Sequence, residues 1–84
     1  MPRIEYSLIR EDIIASLKLY AEKRCPTGGF LQAVLENDLS EACAHADEDN
    51  ARNLFQIVAY VYNEMPSVCW GSPQKVAAWL KRKP

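Results

Sequence analysis

Apolar positions recur at helical spacing along most of the chain. Ile9, Ile13, Leu17 and Tyr20 follow one another at intervals of four, four and three, which places them on one face of a helix over residues 9–24, with Ile14 widening the stripe. Cys25-Pro26-Thr27-Gly28-Gly29 stops that helix, because the residue before a proline is pushed out of the α region and glycine is a poor helix former. Thr27 then offers a hydroxyl cap to a short second helix carrying Phe30, Leu31, Val34 and Leu35. Asn37-Asp38 can cap a third, in which Leu39, Ala42, Cys43 and Ala46 form a narrow stripe of mostly small residues with Cys43 packed inside; the pattern fits equally well with the second and third as one kinked helix.

Asp47 is a good cap for the next segment, and Glu48 and Asp49 fall in its first turn, where the helix dipole favours negative charge. Between Leu54 and Met65 only Gln56, Asn63 and Glu64 are polar, so the pattern predicts a helix covered by apolar side chains on nearly all sides and therefore central. The β-branched and aromatic run over residues 57–62 would also suit a strand, yet no second such run exists to pair with it. Pro66 ends the helix. Ser72-Pro73 then reads as a cap followed by proline at the first helical position, with Val76, Trp79 and Leu80 on one face and Lys81, Arg82 and Lys83 in the last turn. The expected fold is all-α, a compact single domain of four to five helices around a central apolar helix at about residues 47–65, with residues 1–8 irregular or loosely attached.

Size and composition narrow the class. Eighty-four residues close one core, and the 49% apolar content can fill it. Ten basic against eleven acidic residues give no bulk charge that would draw the chain to nucleic acid. Cys25, Cys43 and Cys69 are odd in number and lack paired spacing, and no apolar leader follows the N-terminus, which points to a reducing compartment. The longest apolar run has six residues, whereas a membrane span needs about 20, so no membrane is expected.

Several chemistries can be argued down. His45 with the three cysteines would make a zinc set, but structural zinc sites draw ligands in close pairs and these cysteines stand 18 and 26 residues apart. His45 reads instead as a rim residue of the third helix. Asp47 and Asp49 resemble the opening of a calcium loop, yet Ala51 replaces the third ligand and Arg52 the required glycine. Gly28-Gly29 lacks the lysine and glycine spacing of a phosphate loop, and the single histidine limits nucleophilic catalysis to one untagged arrangement. The reading is of a non-enzyme with no cofactor and no metal; a small enzyme or metal-binding domain is the third-placed alternative.

Charge layout says more. No lysine or arginine stands between Arg24 and Arg52, a span that holds Glu36, Asp38, Glu41, Asp47, Glu48 and Asp49, while Lys75, Lys81, Arg82 and Lys83 stand in a segment without acids. Such fields steer an acidic face to a basic protein, or a basic helix to phosphate; equally, the charges match the dipoles at their helix ends and need mean no more than a solvated surface. A helix-turn-helix at Asn37 is disfavoured, since that segment would repel phosphate. Trp70, beside Gly71 in a turn, is the aromatic best placed to reach a partner. The candidate partner-binding set is therefore Glu36, Asn37, Asp38, Glu41, Asp47, Asp49 and Trp70, with Lys75, Lys81, Arg82 and Lys83 as a nucleic-acid-binding alternative.

Residues 29–39, GGFLQAVLENDL from Gly28 onward, and residues 69–79, CWGSPQKVAAW, together with Ala46-Asp47-Glu48-Asp49-Asn50 and Tyr62-Asn63-Glu64, resemble a family of small uncharacterised proteins encoded by phages and prophages. The resemblance spans about residues 12–80, departs at Thr27 and His45, and brings no activity with it. It implies an accessory protein of the bacterial cytoplasm that binds a host or phage protein, for instance a defence or regulatory factor with a basic groove.

Overall fold

The computed structural model describes residues 4–82. Among these residues six α-helices and two short 3-10 turns make up an all-α bundle: a 3-10 turn at Tyr6–Leu8, α1 (Glu11–Lys23), α2 (Gly29–Leu35), α3 (Leu39–His45), α4 (Glu48–Arg52), α5 (Leu54–Glu64), a 3-10 turn at Ser67–Cys69, and α6 (Pro73–Lys81). Among the described residues there is no strand. One core runs through the molecule, with Leu17, Tyr20, Leu35, Ile57, Val61 and Val76 at its most buried points.

The stripe on α1 buries Ile13, Leu17 and Tyr20 as its spacing requires. The helix ends on Arg24 in the left-handed conformation (φ 56°), which costs a non-glycine residue about 1–2 kcal/mol. Part of that is offset by the Arg24 guanidinium, which lies 3.8 Å over the Trp79 ring. α2 begins after Gly28, and the Thr27 hydroxyl donates to the Gly28 carbonyl rather than accepting from the helix, so the expected threonine cap is not formed.

α2 and α3 are separate helices. Asn37 adopts φ 61°, its N–H donates to the Val34 carbonyl at 3.1 Å, and the Asp38 N–H donates to the Ala33 carbonyl at 2.9 Å, which is the hydrogen-bond pattern of a Schellman end with asparagine in the glycine position. Asp38 then caps α3, accepting from the Glu41 N–H at 3.2 Å. On α3 it is Ala42 that is buried; Cys43, expected inside, is exposed, because seven residues of helix turn only one narrow face to α2.

The segment expected to be one helix over residues 47–65 is two. Asp47 caps α4, and Asn53 (φ −109°, ψ 21°) interrupts the chain before α5. α5 sends Ile57 and Val61 into the core, but Phe55, Val58 and Tyr62 remain exposed, so this helix is not wrapped on all sides. The described residues leave its outer face uncovered.

Pro66 stops α5 with Met65 in the extended region, and Ser72 caps α6 through the Lys75 N–H at 3.1 Å with Pro73 in the first turn. Gly71 (φ 118°) takes a conformation costly for other residues, which lets its N–H reach the Leu35 carbonyl at 2.7 Å and tie the end of α2 to the start of α6. Of the N-terminal segment expected to be irregular or loosely attached, residues 1–3 lie outside the described residues; in the rest Tyr6 stacks edge-on against Tyr60 at 5.3 Å and is hydrogen-bonded to Glu64 and Asn63 of α5. No helix is long and apolar enough to cross a membrane among the described residues.

Candidate functional site

The expected acidic residues fall into two groups. Glu36, Asp38 and Glu41 line an open cleft between α2 and α3 together with Gly29, Gln32, Ala33 and His45. Within it Gln32 donates to Glu36 at 3.0 Å, Asp38 holds its cap, and His45 Nε2 lies 3.2 Å from Glu41 Oε2. These carboxylates have no lysine or arginine partner among the described ion pairs.

Asp47 and Asp49 are used elsewhere. Arg10 donates to Asp47 at 2.8 Å and lies 3.7 Å from Asp49, while Arg52 pairs with Glu48 at 3.2 Å and reaches Asp49 at 3.8 Å. The Asn50 N–H, and after it Arg10, hold the Asp47 carboxyl below the usual carboxylate range. The pair fastens the start of α4 to the start of α1, and neither aspartate is among the residues lining the cleft or the groove described next.

On the outer face of α5 stand three large apolar side chains at intervals of three and four: Phe55, 52% exposed, Val58, 43%, and Tyr62, 66%. Trp70, half-buried, meets Tyr62 edge-on at 5.9 Å and donates its Nε1–H to the Met65 carbonyl at 3.4 Å. These four, with Ile4, Asn37, Ala59 and Asn63, form an apolar groove. It continues past Asn37 and Val58 into a second depression lined by Val34, Asp38, Leu39 and Ala42, where Leu39 is 65% exposed. Asp38 belongs both to this depression and to the acidic cleft, so one surface runs from Trp70 to Glu41. Among the described residues, Asp38 is the only charged one lining the groove and its extension.

The structure thus brings Glu36, Asn37, Asp38, Glu41 and Trp70 onto one continuous surface and sets Asp47 and Asp49 apart from it. Sequence reasoning missed Phe55, Val58, Tyr62 and Leu39. The spacing of the three on α5 was visible, but in a helix apolar all round it does not stand out from the buried Ile57 and Val61, and Leu39 on α3 was read as part of the packed stripe.

Of the basic set, Lys75 donates to the Ser67 carbonyl at 3.4 Å, and Lys75 and Arg82 flank a depression floored by Val68, Ala78 and Trp79. Lys81 is exposed at the end of α6, and Lys83 lies outside the described residues. Cys25 and Cys43 are exposed, whereas Cys69 is buried, its thiol pushed up by burial and donating to the Pro66 carbonyl at 3.1 Å. Among the described residues no three His, Cys, Asp or Glu side chains converge as metal ligands would.

Comparison of the chain with protein-family models, with curated proteins and with solved structures finds no match.

Proposed function

We propose that this chain is a protein-binding module, an accessory protein of phage or prophage that docks a bacterial host protein on the surface running from Trp70 through Asp38 to Glu41. The observation that carries the reading is the row of Phe55, Val58 and Tyr62, exposed side by side and continuous with an acidic cleft. Contiguous apolar surface costs free energy in water and marks interaction sites where single exposed apolar residues do not. An aromatic anchor at Trp70 and Tyr62 supplies affinity, and the neighbouring carboxylates orient a basic partner. The phage setting rests on the resemblance of residues 28–39 and 69–79.

The test is capture of a partner by the tagged chain from bacterial lysate, with nuclease added, at moderate and high salt. A protein retained by the native chain but lost on Val58→Lys, and weakened by Asp38→Asn with Glu41→Gln, supports the reading. Asparagine preserves the α3 cap while removing the charge. Equal retention by all variants overturns it, and recovery of nucleic acid alone, lost on replacing Lys75 and Arg82, would move binding to α6.

A further inference from the structure

Resting on that docking reading, we propose that the groove takes an amphipathic α-helix of the partner, about two turns of it in contact, with lysine or arginine at the end that lies beside Asp38. Three observations lead there.

The first is what the walls offer. Apart from Ile4 and Trp70, the groove is built from side chains of α5 and the α2–α3 junction, elements whose backbone groups bond within their own helices and turns. An extended peptide would leave its own N–H and C=O groups without partners on such a surface, and among the described residues there is no strand edge for it to join. A helix arrives with its backbone satisfied and needs only side-chain contacts.

The second is dimension. Phe55 and Tyr62 are seven residues apart on α5, a rise of about 10 Å, which matches apolar residues at i, i+3 or i+4, and i+7 of an incoming helix.

The third is charge. Among the described residues the lining is apolar apart from Asn37, Asn63 and Asp38, and its one charge sits at one end, with Glu36 and Glu41 beyond it. That end favours a cation and the rest favours none. The same layout disfavours a second copy of this chain set groove against groove, since two acidic ends would share the interface with no lining cation among the described residues to meet them.

The full chain is titrated with fluorescein-labelled synthetic peptides of about 18 residues, long enough to hold helix, that carry leucines at i, i+4 and i+7 and differ only in the end charge or in a central proline. The Lys-ended peptide is expected to bind at least about ten-fold more tightly than the Glu-ended and proline-broken ones, a difference that one oriented charge contact can supply. Its amide shifts should fall on α5 and the α2–α3 junction, vanish with Val58→Lys, and shrink with Asp38→Asn. Equal binding of all three peptides, or binding indifferent to Val58→Lys, overturns the proposal. So does sedimentation showing a dimer of the free chain that Val58→Lys dissociates. A host protein retained through Val58 while the peptides fail would sink the helix and leave the docking reading standing; loss of both sinks both.

Discussion

The Tyr20 hydroxyl donates to the Cys69 carbonyl at 2.6 Å, and the indole N–H of Trp79 donates to the Tyr20 carbonyl at 2.8 Å, so one residue of α1 anchors both the turn before α6 and α6 itself. Tyr20→Phe keeps the packing and removes the first bond, with an expected loss of about 1–2 kcal/mol in urea unfolding. Burial pushes the Tyr20 hydroxyl up to about 12 from 10. The folded state therefore keeps its proton where the unfolded chain has lost it, and stability is full below pH 10 and falls as pH rises toward 12. Tyr20→Phe should flatten that part of the curve; an unchanged slope would assign it to other tyrosines.

Ser72 caps α6 ahead of Pro73. Ser72→Ala should cost about 1 kcal/mol, and Ser72→Asp should restore most of it. Thermal unfolding of the two variants checks the order.

Asn37 occupies the left-handed region at the α2–α3 junction. Asn37→Gly should be tolerated, whereas Asn37→Ala should destabilise by about 1 kcal/mol, because alanine keeps the Cβ that crowds the following carbonyl in that conformation and lacks the short polar amide that lets asparagine adopt it. Chemical denaturation of the pair separates backbone strain from loss of the amide.

Asp47 is held below its ordinary pKa by the Asn50 N–H and Arg10. Its contribution is present above the unfolded value of 3.8 and is lost as pH falls through the lower folded value. Asp47→Asn, which retains a cap but not the ion pair, should make stability less sensitive to acid below pH 4. Melting curves across the acid range read this directly.

Val58 is exposed on α5. Val58→Lys should change stability by no more than about 0.5 kcal/mol, since it removes no core contact and lysine is a good helix former. Normal melting with lost partner binding is the expected combination.

Much of the fold was legible because single residues announced it. Ser72-Pro73 set the start of α6, Pro66 the end of α5, and the spacing of Ile13, Leu17 and Tyr20 the buried face of α1. The break at Asn53 was not legible, since asparagine is only mildly unfavourable in a helix and the apolar run begins directly after it. The acidic half of the candidate site was visible as charge, but charge alone could not show that Arg10, 37 residues before Asp47, reaches across to α4. The apolar half was hidden, because whether Phe55, Val58 and Tyr62 are inside or outside depends on how much chain remains to cover them, which is a property of the whole bundle.

The central claim is that a partner sits on the α5 groove, and site-specific photo-crosslinking in bacterial cells tests it most directly. A crosslinking amino acid at Tyr62 should give one discrete protein adduct that weakens with Asp38→Asn and Glu41→Gln, while the same group at Leu19 of α1, itself 50% exposed, gives none. Adducts of equal yield from both positions, or none from Tyr62 with the chain folded and expressed, would contradict the account.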